Sequence, residues 1–326
     1  MQYIGIDLAK STFVAAFPQE KGYVTATYNN DIKGIETFLA QLNKTSHHCV
    51  LEATGNYGAL LVQMLIASEI AVSVLNPKQT KHFACMMLAV TKTDKVDAQL
   101  ISLYGSKMQP PPYKMPAESI QLLKQQKTLL AQLKKQLTMS SNLLESFNVL
   151  PKADDLALKM LKQHIAHLEE QIALLEEQML SITEETYQEL YKQISSIKGI
   201  GHRTALELIV ATGGGNHFQN AKQFSKYIGL APTYAHSGTS IRKKGHINRH
   251  GSPELRSLLY MASWSAIRFN TACKTFYERL KEKGKPGKVA LIAVANKLIR
   301  QVFAIIRDNT SYVDGYLSKS RIKVNT

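Results

Sequence analysis

The sequence predicts an α/β domain followed by a mainly α-helical remainder, and three observations carry that prediction. Residues 1–108 alternate strand-like and helix-like runs, residues 109–194 hold two long apolar series at helical spacing, and residues 195–326 hold the excess positive charge. At 326 residues the chain is too long for one small domain, and two or three units are expected. The stiff run Gln109-Pro110-Pro111-Pro112 closes the first region.

Within residues 1–108, Tyr3–Ile6, Thr12–Phe17 and Tyr23–Tyr28 read as three strands joined by short polar turns. A helix is expected over Ile32–Leu42, a strand at Cys49–Leu51, a helix over Leu60–Ala67 and a short buried strand at Val72–Leu75. Asn76-Pro77 opens the next helix, with Pro in a first-turn position where its missing N–H costs nothing. Three strands followed by alternating helix and strand is the order of a ribonuclease-H-like fold, an analogy of order that says nothing of activity.

Residues 109–194 carry the series Leu123, Leu130, Leu133, Leu137, Leu144, Phe147 and then Leu158, Leu161, Ile165, Leu168, Ile172, Leu175, Met179, Ile182. The steps of the second alternate three and four, a heptad seam. Pro151 separates the two series, so two long helices are expected, folded into an antiparallel hairpin or paired between subunits. Further on, Leu291–Ile306 reads as a buried helix, and Trp264, Leu258, Leu259, Met261 and Ile267 as core packing.

Charge is unevenly placed. Residues 1–194 hold 18 Lys/Arg against 19 Asp/Glu, whereas residues 195–326 hold 22 against 6, a balance of +16. Such a block suggests a polyanion-binding surface, because neutralising phosphates releases counterions. Cys49, Cys85 and Cys273 are scattered, which argues against a zinc site or a disulfide framework and fits a reducing cytoplasm. The chain begins directly in a strand-like run without a targeting signature, and no uninterrupted apolar stretch approaches membrane-spanning length. A soluble cytoplasmic protein, nucleoid-associated and without membrane contact, is expected.

Four acids stand where metal ligands are expected. Asp7 ends the run Tyr3-Ile4-Gly5-Ile6, Glu52 follows Cys49-Val50-Leu51, and Asp94 and Asp97 lie three apart, on one helical face. Carboxylates converging from separate segments suit one or two Mg²⁺ ions, which prefer oxygen ligands and clamp phosphate oxygens during strand cleavage.

The basic region holds a second constellation. Ile197-Lys198-Gly199-Ile200-Gly201-His202-Arg203 has the form of a helix-hairpin-helix turn, or of a generic glycine-containing helix junction. In the first reading Gly199 and Gly201 allow the bend and the next helix presents its N–H groups, with Arg203, to a phosphate. Ser237-Gly238 precedes Arg242-Lys243-Lys244, with Arg249 and Arg256 beyond. Ser237 in such company either contacts phosphate or attacks it, the cations stabilising the departing charge. His246 and His250 read as loop residues contacting phosphate, and His47-His48 as surface residues before a strand.

Taken together, the set Asp7/Glu52/Asp94/Asp97 within Lys92-Thr93-Asp94-Lys95-Val96-Asp97-Ala98, the helical middle, and Gly229-Leu230-Ala231-Pro232 with Ser237-Gly238 and Gly245-His246-Ile247-Asn248-Arg249-His250-Gly251-Ser252-Pro253-Glu254-Leu255-Arg256 resemble the transposases of the insertion-sequence 110 family, including its 1111 subgroup. The resemblance covers almost the whole chain. It implies a RuvC-like domain at 1–108, a coiled-coil arm at 109–194 and a C-terminal transposase domain at 195–326 with an essential serine. It also implies a recombinase acting on element ends and target DNA as a dimer or tetramer, guided by a structured non-coding bridge RNA. The serine best matches Ser237, with Ser240 and Ser252 as alternatives. A RuvC-like, Mg²⁺-dependent junction-resolving nuclease with water as nucleophile is the second reading, and a binding scaffold with a decayed metal site the third.

Overall fold

The computed structural model describes residues 1–89, 93–215, 218–237, 241–248 and 251–315, with the backbone alone at 234–237 and 241–244. Its contacts divide the chain into two compact units, Met1–Met115 and Pro116–Thr326.

The first unit is built on a five-stranded sheet. Three runs rich in β-branched and aromatic residues form β1 (Gln2–Leu8), β2 (Thr12–Pro18) and β3 (Tyr23–Asn29), each antiparallel to the one before. After α1 (Ile32–Leu39), β4 (His47–Glu52) runs parallel to β1. After α2 (Ala59–Ala67), β5 (Ala71–Leu75) runs parallel to β4, giving the order β3-β2-β1-β4-β5. The succession of three strands and then alternating helix and strand along the chain is the one expected from the sequence. α3 (Pro77–Met86) starts at Asn76, whose side chain accepts from Lys78 N while Gln79 reaches back to the Asn76 N–H. α4 (Asp94–Met108) is capped by Thr93, whose hydroxyl accepts from Val96 N at 3.3 Å.

Strand alternation gives the sheet two faces. Ile4, Ile6 and Leu8 of β1 and Cys49 and Leu51 of β4 pack with Ile35, Phe38, Leu61 and Leu65 of α1 and α2. Val50 and Leu75 turn the other way, with Phe83 of α3 and Ile101 and Tyr104 of α4. Gly5 lets α4 lie directly on β1: a Cβ there would stand 2.0 Å from the Ala98 carbonyl oxygen and 2.3 Å from Ser102 N. Ser102 Oγ donates to the Tyr3 carbonyl at 2.6 Å.

The proline run does not leave this unit. Ser73 Oγ reaches the Pro111 carbonyl at 2.7 Å, and Tyr113 N donates to the Val72 carbonyl at 2.7 Å, so the segment after α4 runs back along β5. His48, expected at the surface, is buried in β4 with its Nε2 2.8 Å from Ser73 Oγ.

In the second unit α5 (Glu118–Asn148) and α6 (Asp155–Ser195) form an antiparallel hairpin within the chain. Ser119 Oγ meets Tyr187 Oη at 2.8 Å and Lys134 pairs with Glu176, so residue numbers rise along one helix as they fall along the other, and Pro151 lies at the tip. The predicted inner series is buried or half-buried, with Leu123, Leu130, Leu168, Ile172 and Met179 below a tenth exposed. The chain continues through α7 (His202–Ala211), α8 (Ala221–Ile228), the antiparallel hairpin β6 (Pro232–Ser237) and β7 (Ile241–Ile247), then α9 (Pro253–Phe269), α10 (Thr271–Glu282) and α11 (Gly287–Asp308). One apolar core joins the hairpin base to α7, α9 and α11, so residues of the predicted arm and of the predicted C-terminal region share it. α11 is the one described helix with the length and hydropathy of a membrane span, yet Leu291, Val294, Leu298, Ile299, Val302 and Ile305 are buried in this core.

Two expectations change here. Residues 232–237 and 241–247, read as basic loop, form two paired antiparallel strands. Met261 and Trp264, expected in the core, are 61% and 42% exposed, because α9 buries the opposite stripe, Leu255, Leu259, Ala262 and Ala266.

Candidate catalytic and nucleic-acid-binding sites

Each unit carries one candidate site. In the first, α4 runs antiparallel to β1: Gly105 abuts Tyr3, and Ala98 and Ser102 abut Gly5. The next step along both elements sets the first turn of α4 beside the C-terminal end of β1. Asp7 lies two residues beyond Gly5, and therefore on the α4 face. Glu52 lies two residues beyond Val50, whose side chain meets Gly105, and so shares that face. β1 and β4 are neighbours with Ile6 opposite Leu51, which brings Asp7 and Glu52 to adjacent strand ends. Asp94 and Asp97 occupy the first turn of α4, where the helix dipole favours negative charge. The three elements that carry these acids, the ends of β1 and β4 and the first turn of α4, thus lie toward one end of the sheet.

Glu52 is held by a partner the sequence does not reveal: Thr80 Oγ1 of α3 donates to Glu52 Oε2 at 2.6 Å. Among the described residues no three His, Cys, Asp or Glu side chains are arranged as a ready metal site. The donor set itself, carboxylates only and half-exposed at Asp7, Glu52 and Asp97, has the chemistry a hard divalent cation requires.

The second site begins at the junction of α6 and α7. Gly199, at φ +106°, lies so close to α9 that a Cβ would stand 2.7 Å from Ala266 Cβ. Gly201 is the N-cap of α7 and offers no side chain to its N–H groups, and Gly201, His202 and Arg203 are exposed. Arg203 Nη2 donates to Glu254 Oε1 at 3.0 Å, and the Tyr191 hydroxyl bonds His202 Nδ1. Behind the junction, Lys127 and Glu207 form a buried ion pair, in which burial still raises the Glu207 carboxyl above its ordinary range.

Ser237 is the last residue of β6 and pairs with Ile241, while Arg242 and Lys243 of β7 lie opposite His236 and Ala235. The side chains of Ser237, Arg242, Lys243 and Lys244 lie outside the described residues, as do Gly238, Ser240, Arg249 and His250 entirely. Ser252 is a helix cap, its Oγ accepting from Leu255 N at 3.2 Å. Arg256 Nη1 donates to the carbonyls of Gly251 at 2.7 Å and Ile228 at 3.2 Å, stapling the loop before α9.

A sheet of this order with acids at its strand ends, and a separate basic helical unit, define an enzyme of nucleic-acid strand chemistry. Comparison with known proteins names the class. The transposase model of the DEDD IS110 type matches residues 4–153, and that of the transposase IS116/IS110/IS902 family matches residues 191–278. The pilin gene-inverting protein of Moraxella lacunata is 34% identical over 323 residues, covering 95% of this chain and 97% of that protein. Its counterpart in Moraxella bovis is 33% identical over 321 residues, with the same coverage, 95% and 97%. The transposase for insertion sequence element IS1111A of Coxiella burnetii is 27% identical over 124 residues, 37% of this chain and 34% of that protein. The chain belongs to the IS110 family of DEDD transposases, enzymes that cleave and rejoin DNA.

Proposed function

We propose that this transposase cuts and rejoins DNA with two sets of groups: Asp7, Glu52, Asp94 and Asp97 as the ligands of one or two Mg²⁺ ions, and Ser237 as nucleophile. The observation that carries this reading is the convergence of Asp7, Glu52 and the first turn of α4 on one face and one end of the sheet. When bound, Mg²⁺ neutralises charge on the scissile phosphate. The acids orient that phosphate. Ser237 Oγ gives up its proton and forms an O–P bond as the bond to the departing deoxyribose oxygen breaks, and that oxygen takes up a proton. The resulting phosphoserine ester keeps the bond energy, so the reverse attack by a new hydroxyl rejoins DNA without an external energy source. Ser252 is occupied as a helix cap, which favours Ser237 among the described serines.

Gly199, Gly201 and Arg203 at the α7 N-terminus, a helix-hairpin-helix in this reading, bind DNA phosphates together with Arg242, Lys243, Lys244 and Arg249. Arg256, counted with them from the sequence, also holds the Gly251 and Ile228 carbonyls at the start of α9. The three-part division at 108/109 and 194/195 describes tasks: metal-dependent chemistry, subunit assembly, and nucleic-acid binding with the serine. The enzyme acts in the cytoplasm as a homo-oligomer, its composite site shared between subunits, and a structured bridge RNA pairs with element ends and target. Inversion, the act for which the two Moraxella relatives are named, needs the same conservative cutting and rejoining.

The test is Ser237→Ala. Recombination and the covalent protein–DNA adduct are both expected to vanish while folding and DNA binding persist. Cleavage that continues in the variant, with no adduct in the parent protein, leaves water as nucleophile and makes the enzyme a junction-resolving nuclease.

A further inference from the structure

α9 seals Leu255, Leu259, Ala262 and Ala266 in the core, and its opposite side carries Ser257, Met261, Trp264 and Arg268, all exposed. Steps of four, three and four residues set these side chains within an arc of about 60° at 3.6 residues per turn, one above the other. Trp264 is the single tryptophan of the chain. An indole beside a thioether on the open side of a helix is a contact surface waiting for a partner. Cations stand at both ends of the strip. Arg268 closes it at one end, and at the other Arg203 of α7 donates to Glu254 Oε1 at 3.0 Å, one turn before Ser257. From Glu254 to Arg268 the helix rises about 21 Å, the length of a few nucleotides of an extended strand.

We propose that this strip holds an unpaired DNA strand, with one base stacked on the Trp264 indole and Arg268 on a neighbouring phosphate. Charge selects the occupant. Residues 195–326 carry a balance of +16, so a second copy of the same face would be repelled while a polyanion is attracted. Chemistry selects the part of the polyanion that touches the strip. A duplex hides the faces of its bases and offers the surface only sugar, phosphate and base edges. An unpaired strand turns out flat apolar faces, which suit an indole and a polarisable thioether. Stacking of this kind accepts every base, since each has a π-face, so the strip holds a strand without reading its sequence. Cutting and rejoining supplies such a strand, because a freed end has to be kept in place until it is joined. The inference rests on the reading of the basic unit as a nucleic-acid binder and is independent of the acids, Ser237 and a guide RNA.

The full chain carries its own probe, since all tryptophan emission comes from Trp264. An oligodeoxythymidylate of about twelve nucleotides is expected to quench that emission as it binds, whereas an abasic oligonucleotide of equal length binds without quenching. Trp264→Ala is expected to weaken the oligodeoxythymidylate about 5- to 150-fold, with duplex binding and helicity unchanged, and Trp264→Phe to keep most of the affinity. Saturated binding, followed by anisotropy of a labelled oligonucleotide, with no loss of emission overturns the stacking and leaves the basic unit a nucleic-acid binder. Equal quenching by the abasic strand overturns it too, because charge alone then alters the surroundings of the indole. Quenching by an RNA strand and not by DNA overturns the choice of DNA. If Trp264→Ala changes the sedimenting mass but not the affinity, the strip is a subunit contact and the proposal falls. A chain that binds no oligonucleotide at all removes both the strip and the reading on which it rests.

Discussion

At the scale of single residues the acidic corner depends on a group far away in sequence. Thr80 donates to Glu52 from α3, 28 positions along the chain, and nothing in the spacing of the acids reveals it. Groups that orient a metal's ligands are worth about 10–100-fold in metal affinity. Thr80→Val is therefore expected to shift the Mg²⁺ concentration for half-maximal recombination upward by about tenfold, with the maximal rate largely kept; an unchanged Mg²⁺ titration would remove Thr80 from the site. His48 sets a pH limit on the first unit. Burial lowers its imidazole below the ordinary 6.5, so the unfolded chain binds that proton more tightly than the folded one. The stability it contributes is present above 6.5 and is lost as pH falls below it. Melting curves between about pH 7.5 and 5.5 should show a fall in the first transition that is smaller in His48→Gln.

At the scale of elements the decisive contact is α4 on β1. The sequence shows a glycine in a strand, which weakens strands elsewhere. Here it is what lets the backbone of α4 lie on the sheet at Ala98 and Ser102, one turn from its acidic start. Gly5→Ala must push α4 outward and is expected to cost about 3 kcal/mol, the upper range for an overpacked core, and to abolish recombination together with the stability loss. Urea unfolding of the purified variant measures it; a midpoint equal to the parent's would mean that α4 does not need this approach. The basic segment shows the opposite case. Residues 232–247 lack a clean alternation of apolar residues, so periodicity read them as loop although β6 and β7 pair there.

At the scale of the whole molecule the charge partition is the dominant fact. A +16 balance over residues 195–326 exceeds what one helix junction uses. In the proposed reading this charge binds a nucleic acid through backbone and shape, with sequence read by pairing. Sequencing RNA that co-purifies with the full chain is expected to recover a structured transcript from DNA flanking the gene, with loops complementary to target and donor. Random cellular RNA, together with recombination that survives ribonuclease treatment before assembly, would mean that the protein reads its DNA ends directly.

The succession of strands and helices, the two long helical series, the charge partition and the positions of the four acids are legible in the chain before it folds, because each is a local pattern: an alternation, a spacing or a composition. Tertiary packing decided what those patterns face. Leu122 and Leu123 are chemically identical neighbours, yet one is open and one is sealed, since the side on which α6 packs is fixed by contacts far along the chain, such as Ser119 with Tyr187, 68 positions apart. The same holds for Trp264, which the other helices leave at the surface, for the proline run that Ser73 and Val72 hold against β5, and for Thr80 beneath Glu52. Periodicity says that a helix has an inside; only the partner says which side it is.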